Sequence, residues 1–228
     1  MIEVQRTMLD GRLATIRFTS RRDGDLGVRS SAVGQVREAL DRRPWTWLNQ
    51  VHRDRVVRVS SPGQHAGDEA DGAITADAGC VLSVQGADCA PVAFWSPQGV
   101  AGVAHVGWRG ALHGIVERTV ETMRSVGATD IYAVLGPHIR PESYEFASED
   151  IQIVIDRFGE SVAGRTIDNR PALNMTSVLR AAVDNAGARI DFDTHLCTSN
   201  DQWYSHRVRS EPGRHGAIVV IEEADASA

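Results

Sequence analysis

Hydrophobic positions along the chain follow two different periods. Short runs rich in β-branched residues are typical of strands, and longer stretches in which apolar residues recur every three or four positions are typical of helices. The predicted strands are LATIRF around residue 15, VVRVS around residue 57, and the segments 81–85, 91–95, 99–106, 131–136 and 217–221. The predicted helices are about 31–40, 111–126, 148–158 and 172–186.

The order of these elements indicates the fold class. Strands and helices interleave, and no long linker, repeat or low-complexity tract divides the sequence. We therefore predict one compact domain over residues 1–228, of the mixed α/β (α+β) class, with a mixed β-sheet core flanked by helices. The acidic end EEADASA, about 222–228, is predicted to be a flexible tail.

The central stretch of the chain places polar residues at the ends of predicted elements. VLSVQGADCAPVAFW predicts two strands that meet at a tight polar corner containing Asp88 and Cys89. GVAGVAHVGWRGALHGIV predicts a strand ending near His105, a turn containing Arg109, and a helix starting near Ala111. The free amide groups of a helix start, together with a forked guanidinium, favour a bound phosphate or carboxylate.

Composition and charge narrow the function classes. A net charge of −6 argues against a general nucleic-acid binder. All 24 basic residues are arginine, which excludes a Schiff-base lysine and a Walker-type phosphate loop. Three cysteines do not form a disulfide framework, and no apolar run approaches the roughly 20 residues of a membrane span or resembles a secretory signal. These features predict a cytoplasmic protein.

Three residues have the side chains of a metal site: His52 in NQVH, Cys89 in GADCAPV and His105 in AHVGWRG. Imidazole and thiolate are ligands that zinc prefers, and three protein ligands leave a fourth position open for water or substrate. The residues are far apart in sequence and match no compact zinc-binding pattern. Only folding would bring them together.

Other polar residues are candidates for supporting roles. Asp71 and Asp88 could orient an imidazole or activate a water, although their sequence contexts also favour turns. His138, in the segment LGPHIRP with a proline on either side, is predicted to reach the same site. Asp88 and His138 are alternative candidates to protonate a leaving group. The residues predicted to contact a substrate are Asn49, Gln50, Asp71, Trp108, Arg109 and His206.

These motifs occur in one order over residues 15–221: NQVH, DGAIT, ADCAPV, AHVGWRG, LGPHI followed by YEF, and LCT followed by YSHR. In this order they resemble the YfiH family of laccase-domain proteins, which carry the labels polyphenol oxidase, peptidoglycan editing factor and purine nucleoside phosphorylase. The ADC-PV and H-GWRG blocks are the most specific part of the resemblance.

The resemblance implies a single α/β domain with a zinc ion held by His52, Cys89 and His105. It also implies phosphorolysis of purine nucleosides such as adenosine, inosine or methylthioadenosine, with phosphate attacking the ribose C1′. Arg109 matches the arginine of the family's GWRG block and suits phosphate. Adenosine deamination, in which a metal would activate water, is a second implied activity.

The chain departs from the family's pattern near several motifs. Family members often carry cysteines after the GP segment, whereas Glu142 and Ser143 stand here. Arg53 replaces the glycine after QVH, Gly86 replaces the threonine before ADC, and Asn174 stands near a usual aspartate. None of these positions belongs to the metal trio, but they bear on substrate identity.

Three alternative functions remain open on the sequence alone. A metal-free hydrolase would use Cys89 as nucleophile, His105 as base and Asp88 to orient it, and would cleave amides or peptidoglycan fragments. Copper-dependent phenol oxidation is less favoured, because a multicopper oxidase needs about ten histidine ligands and a further Cys-His pair, whereas the chain has eight histidines in all. In a non-enzymatic protein the zinc would be structural. Its fourth ligand would come from His138, Cys197 or His206.

Overall fold

A computed structural model describes residues 1–224 of the chain. The strands are β1 Ile2–Thr7, β2 Leu13–Phe18, β3 Trp45–Trp47, β4 Val56–Val59, β5 Gly72–Thr75, β6 Val81–Gly86, β7 Ala90–Ser96, β8 Val100–Val106, β9 Tyr132–Leu135, β10 Ala163–Arg165, β11 Pro171–Leu173, β12 Arg189–Asp193 and β13 His215–Glu222. The α-helices are α1 Val33–Leu40, α2 Trp108–His113, α3 Ile115–Ser125, α4 Ser148–Phe158, α5 Met175–Asn185 and α6 His206–Arg209.

The strands form two large sheets and one small hairpin. One sheet has the order β1-β2-β13-β6-β3, the other has the order β12-β9-β7-β8-β5-β4, and β10 pairs with β11. Most neighbours are antiparallel, while β3 with β6, β4 with β5, and β9 with β12 are parallel. Both large sheets are therefore mixed, as the fold class predicted.

The strands contribute side chains to two layers at once, because successive side chains point to opposite faces of a sheet. In β13, Ala217 and Val219 pack between the two large sheets. Ile218 and Val220 face the opposite side, in a cluster that also contains residues of α1. The outer face of the six-stranded sheet packs against α2 to α5. The result is a mixed α/β domain of four layers: α1, two sheets, and the remaining larger helices.

The predicted strands and three of the four predicted helices are confirmed, with shifts of a few residues at their ends. The helix predicted over 111–126 is two helices, because Gly114 adopts a left-handed φ of 89° and separates α2 from α3. Six strands, β1, β3, β5 and β10 to β12, were not predicted, since they are short or carry many polar residues.

The chain end differs in part from the predicted tail. Glu222 is the last residue of β13 and forms an ion pair with Arg43 at 2.6 Å, so the strand includes the first residue of the predicted tail. Residues 225–228 lie outside the described residues. Over residues 1–224, no helix has the length and apolar character that a bilayer span requires.

The connection between β6 and β7 determines where polar residues meet. These strands belong to different sheets, so residues 87–89 carry the chain across from one sheet to the other. The predicted polar corner is therefore a crossing between sheets, and not a hairpin within one sheet. Asp88 has a positive φ of 148° at this crossing.

Candidate metal centre

The structure brings together three side chains that are far apart in sequence. His52 lies between β3 and β4, Cys89 at the crossing between β6 and β7, and His105 near the end of β8. Two imidazole nitrogens and the Cys89 sulfur all lie within 4.8 Å of one another. Residues 1–224 contain no second group of three or more such ligands. The chain therefore has a His-Cys-His group that could bind a metal.

The spacing of these donors fits a tetrahedral ion. Cys89 Sγ lies 3.8 Å from His52 Nε2, and sulfur and nitrogen ligands of one tetrahedral zinc are about 3.6 Å apart. Gly107 allows this approach, because a Cβ atom there would lie 2.8 Å from the Cys89 sulfur and 3.1 Å from Cδ2 of His52. A glycine is therefore required beside the sulfur for steric reasons.

Asp71 holds the two imidazole-bearing segments in place. Its side chain accepts hydrogen bonds from the backbone N–H groups of Val51, His52 and Arg53, at 3.1, 3.0 and 2.9 Å. The ring Nδ1 of His105 lies 2.8 Å from the same carboxylate. Burial raises the pKa of Asp71, but these hydrogen bonds outweigh it and lower the pKa below its usual value.

The electrostatics of the group favour a thiolate. Burial raises the pKa of Cys89, but the charge of His105 and hydrogen bonds with both imidazoles lower it to about 6. Burial lowers the pKa of His105, but Cys89 and Asp71 outweigh burial and raise it to about 9. The thiolate is the form of cysteine that binds metals and acts as a nucleophile.

Asp88, next to the sulfur, is engaged in structural hydrogen bonds. Its carboxylate accepts from Thr198 Oγ1, Ser205 Oγ and the backbone N–H of Arg207, each at 2.6 Å. These bonds attach the segment that carries α6 to the crossing between the sheets. They favour a positioning role for Asp88 over the predicted role as a proton donor.

The trio lines a cavity of about 530 Å³. The cavity wall is strongly cationic, because four arginines contribute to it and Asp88, a carboxylate in the wall, is already hydrogen-bonded. The arginines are Arg29, Arg109, Arg207 and Arg214. Arg29, Arg214 and the buried Tyr144 of this wall were not predicted from the sequence, because none stands beside a metal-ligand motif.

Arg109 lies in a helix and not in the predicted turn. α2 begins at Trp108, with Gly107 as its N-cap, so the predicted helix start near Ala111 is three residues too late. The Arg109 guanidinium stacks over the Trp108 ring at 4.4 Å from the ring centre. Both residues reach the cavity from the first turn of α2.

The predicted substrate contacts divide into two groups. Asn49, Trp108 and His206 line the cavity, as does Gln50. The Gln50 amide, however, pairs with the backbone of Gln85 at 2.6 and 2.8 Å, which extends the pairing of β3 with β6. Asp71 does not line the cavity, because it is fully buried behind the imidazoles.

His138 does not line the cavity. It is fully buried, with Nδ1 at 2.8 Å from the Gly136 carbonyl and Nε2 at 3.1 Å from Thr176 Oγ1. The predicted approach of His138 to the cavity is therefore not seen, because prolines around a loop do not determine which way a side chain points. The three cysteines, Cys80, Cys89 and Cys197, are free.

Comparison with known proteins decides the family. The sequence profile of the family described as multi-copper polyphenol oxidoreductase laccase matches residues 23–222. The chain belongs to this laccase family. The predicted resemblance to YfiH-type laccase-domain proteins is thereby confirmed.

Relatives of this laccase-family chain carry an enzyme name. A protein of Mycobacterium tuberculosis named purine nucleoside phosphorylase is 32% identical over 183 residues, which cover 77% of this chain and 72% of the relative. A purine nucleoside phosphorylase of Deinococcus radiodurans is 36% identical over 180 residues, covering 76% and 69%.

Solved structures of two bacterial proteins share the fold. The Bacillus licheniformis hypothetical protein YfiH has a TM-score of 0.81 and 24% identity, covering 96% of this chain and 99% of that protein. YlmD from Geobacillus stearothermophilus has a TM-score of 0.77 and 25% identity, covering 94% and 93%. The laccase-family fold therefore extends over nearly the whole chain.

Gly86 and Asn174, two of the departures from the laccase-domain pattern, have local structural explanations. At residue 86, a Cβ would lie 2.9 Å from the Cys89 carbonyl oxygen, so glycine fits the tight crossing. Asn174 caps α5 by accepting from the backbone N–H of Ser177 at 3.2 Å. Arg53 contributes its backbone N–H to Asp71, and its side chain is exposed. Glu142 and Ser143 line a separate surface groove.

Proposed function

We propose that this protein is a zinc-dependent purine nucleoside phosphorylase. It would convert adenosine, inosine or methylthioadenosine and phosphate into the free base and the pentose 1-phosphate. The main support is one observation: a three-residue metal-ligand group forms part of a cavity wall that carries four arginines. The names of the relatives from M. tuberculosis and D. radiodurans favour the same reaction.

Zinc is the metal that the ligands favour. His52, Cys89 and His105 would hold it, and a bound zinc ion would supply Lewis acidity at the cavity wall. Copper also binds imidazole and thiolate, but a multicopper site needs more ligands than the single group in residues 1–224 provides. None of His138, Cys197 and His206 belongs to that group, which disfavours a four-ligand structural site.

The arginines would hold phosphate while the cavity orients the nucleoside. Arg109, stacked on Trp108, presents a guanidinium that can bind two phosphate oxygens. Phosphate held there would attack C1′ of the sugar as the base leaves, and the main contribution of these residues would be positioning. The Asp88 carboxylate is already engaged by three hydrogen bonds and His138 does not line the cavity, so we assign protonation of the base to His206, which does.

The experiment is direct. Purified protein would be incubated with inosine and phosphate over a range of zinc concentrations, and ribose 1-phosphate and hypoxanthine would be quantified. We expect equal amounts of both products, and we expect the Cys89→Ser variant to form neither above background. If wild-type protein forms no ribose 1-phosphate at any zinc concentration, phosphorolysis is excluded.

Adenosine deamination is a second candidate, supported by the exposure of the centre to solvent. His52 is exposed and Cys89 is half-buried, so water can reach the ligand group. Incubation of adenosine with zinc-loaded protein in phosphate-free buffer tests this activity alone. Formation of inosine supports deamination, and unchanged adenosine rules it out.

A cysteine hydrolase remains the rival that the geometry supports best. Cys89, His105 and Asp71 form a nucleophile, base and orienting carboxylate, with Asp71 in the position that the sequence assigned to Asp88. Metal analysis separates the two proposals. One zinc per chain favours the phosphorylase, whereas zinc-free active protein that iodoacetamide inactivates at Cys89 favours the hydrolase.

A further inference from the structure

We infer that Asp71 is a positioning residue that presets both imidazoles of the metal centre before an ion binds. The inference rests on the proposed metal centre and adds to it the residue that determines its geometry. Asp71 has no exposed surface, so it acts through other residues and does not touch a ligand in the cavity. Four hydrogen bonds reach its side chain, and all four come from segments that carry metal ligands.

The first of these segments is the loop that carries His52. Three consecutive amides, from Val51 to Arg53, point at the Asp71 carboxylate. His52 itself adopts a left-handed φ of 60°, a conformation that a residue with a side chain rarely takes without support. Successive amides arranged in this way form a concave anion-binding nest. Here the anion is a side chain of the same protein, and the nest fixes the backbone of a metal ligand.

The second segment is the end of β8. His105 Nδ1 lies 2.8 Å from Asp71 Oδ1, and the His105 backbone N–H donates to the Asp71 carbonyl at 2.7 Å. Two contacts with one residue fix both the ring and the backbone of His105. Because Nδ1 is engaged by the carboxylate, Nε2 is left for the metal. The sheet holds Asp71 itself, since β5 begins at the next residue and pairs with β8.

An isosteric amide cannot replace the carboxylate. In the Asp71→Asn variant one of the two oxygens becomes an NH₂ group, which donates and does not accept. Oδ2 faces the amides of Val51 and Arg53, and Oδ1 faces His52 and His105. In either orientation of the asparagine side chain, its NH₂ group would therefore face two N–H donors and could accept from neither.

The test is zinc affinity, measured by competition with a chromophoric chelator on the full chain. For Asp71→Asn we expect affinity about 10- to 100-fold weaker than wild type, as for other residues that orient metal ligands. In the zinc-loaded wild type we also expect the His105 Nδ1 proton to appear far downfield by NMR and to exchange slowly with water. In the variant that signal is lost or shifted. A folded variant that loses less than tenfold in zinc affinity overturns the inference.

Asp193→Asn is the matched control. Asp193 is also a buried carboxylate, and it accepts from Arg140 Nη2 at 2.9 Å and from the His195 backbone N–H at 2.8 Å, away from the metal ligands. We expect zinc affinity within about threefold of wild type for this variant. An equal loss of affinity in both variants means that any buried carboxylate has the same effect, and the inference fails.

Amide hydrogen exchange tests the inference even if Asp71→Asn does not fold. In wild-type protein without zinc, we expect the amides of residues 51–53 to be protected already. If these amides exchange as fast as unprotected amides until zinc is added, the inference is overturned. A wild-type protein that binds no zinc but protects these amides would contradict the proposed function and leave the role of Asp71 in place.

Discussion

Two parts of the cavity are built in different ways: the metal corner, which is His52, Cys89 and His105 with Asp71 behind them, and the arginine wall, which is Arg29, Arg109, Arg207 and Arg214. His105 belongs to a sheet strand, Cys89 lies at the crossing between sheets, and Asp71 holds the His52 loop. In the arginine wall, Arg29 and Arg214 lie outside helices and strands, Arg207 belongs to the four-residue α6, and Arg109 lies in α2. A metal needs ligands fixed to a fraction of an ångström, whereas loops can change without unfolding the scaffold. We therefore expect the corner to set the chemistry and the wall to set the substrate.

Loss of the sulfur ligand should have the largest effect. The Cys89→Ser variant removes a ligand that the Lewis acid requires, so we expect kcat/KM for inosine phosphorolysis to fall on the order of 10³-fold, about 4 kcal/mol. The thermal midpoint measured without zinc should change little. Unfolding of the zinc-free variant under conditions where zinc-free wild type stays folded would indicate a structural role for Cys89.

Crowding the sulfur should have the next largest effect. In Gly107→Ala the new methyl group would meet Cys89 Sγ at 2.8 Å. Overpacking of this kind costs about 1–3 kcal/mol, which corresponds to roughly 5- to 150-fold in zinc affinity. Gly34→Ala is the control, because a Cβ there meets nothing within 4 Å. Equal zinc affinity in both variants and the wild type would show that the corner tolerates movement.

A change in the wall should leave the corner intact. The Arg109→Gln variant removes one guanidinium from the cavity, and loss of a charge-assisted bond to phosphate predicts an increase of about tenfold in KM for phosphate. Zinc affinity should stay within about twofold of wild type, as chelator competition would show. If zinc affinity in Arg109→Gln falls as much as phosphate affinity does, the wall and the corner do not act independently.

Substitution of His138 should have the smallest effect on the activity of the site. Burial and the charge of Arg140 lower its pKa to about 4 from 6.5. The folded ring therefore stays neutral where the unfolded ring takes up a proton, and the free energy of unfolding falls as pH decreases from 6.5 to 4, by up to about 3 kcal/mol. In His138→Gln we expect a shallower decline by urea unfolding and kcat within about twofold. A large loss of kcat would restore the catalytic role predicted from the sequence.

The two regions also differ in how far the sequence predicts them. His52, Cys89 and His105 stand in distinctive motifs, so this candidate ligand set could be proposed before the fold was known. Arg214 could not be assigned to the wall, because its placement depends on Asp25. The Asp25 side chain accepts from the backbone N–H groups of Gly27 and Arg214, both at 2.8 Å. Such long-range contacts leave no periodic signal in the sequence.

The strands of the fold also differ in how far the sequence predicts them. Strongly apolar segments such as β7 and β8 were predicted to within two residues, because every residue in them is buried. β12 was missed because it lies at a sheet edge and leaves Arg189 and Phe192 exposed. Asp71 was recognised as either a turn residue or an orienting carboxylate. Only the folded chain shows that it joins the loop of His52 to His105.

X-ray absorption at the zinc edge of the purified protein, together with metal quantification, tests the central claim most directly. We predict one zinc per chain, with one sulfur ligand at about 2.3 Å and two imidazole nitrogens at about 2.0–2.1 Å. The remaining position should be filled by oxygen and should respond to added phosphate or nucleoside. A protein without stoichiometric zinc, or one whose zinc has four nitrogen and sulfur ligands, would contradict a catalytic centre at His52, Cys89 and His105.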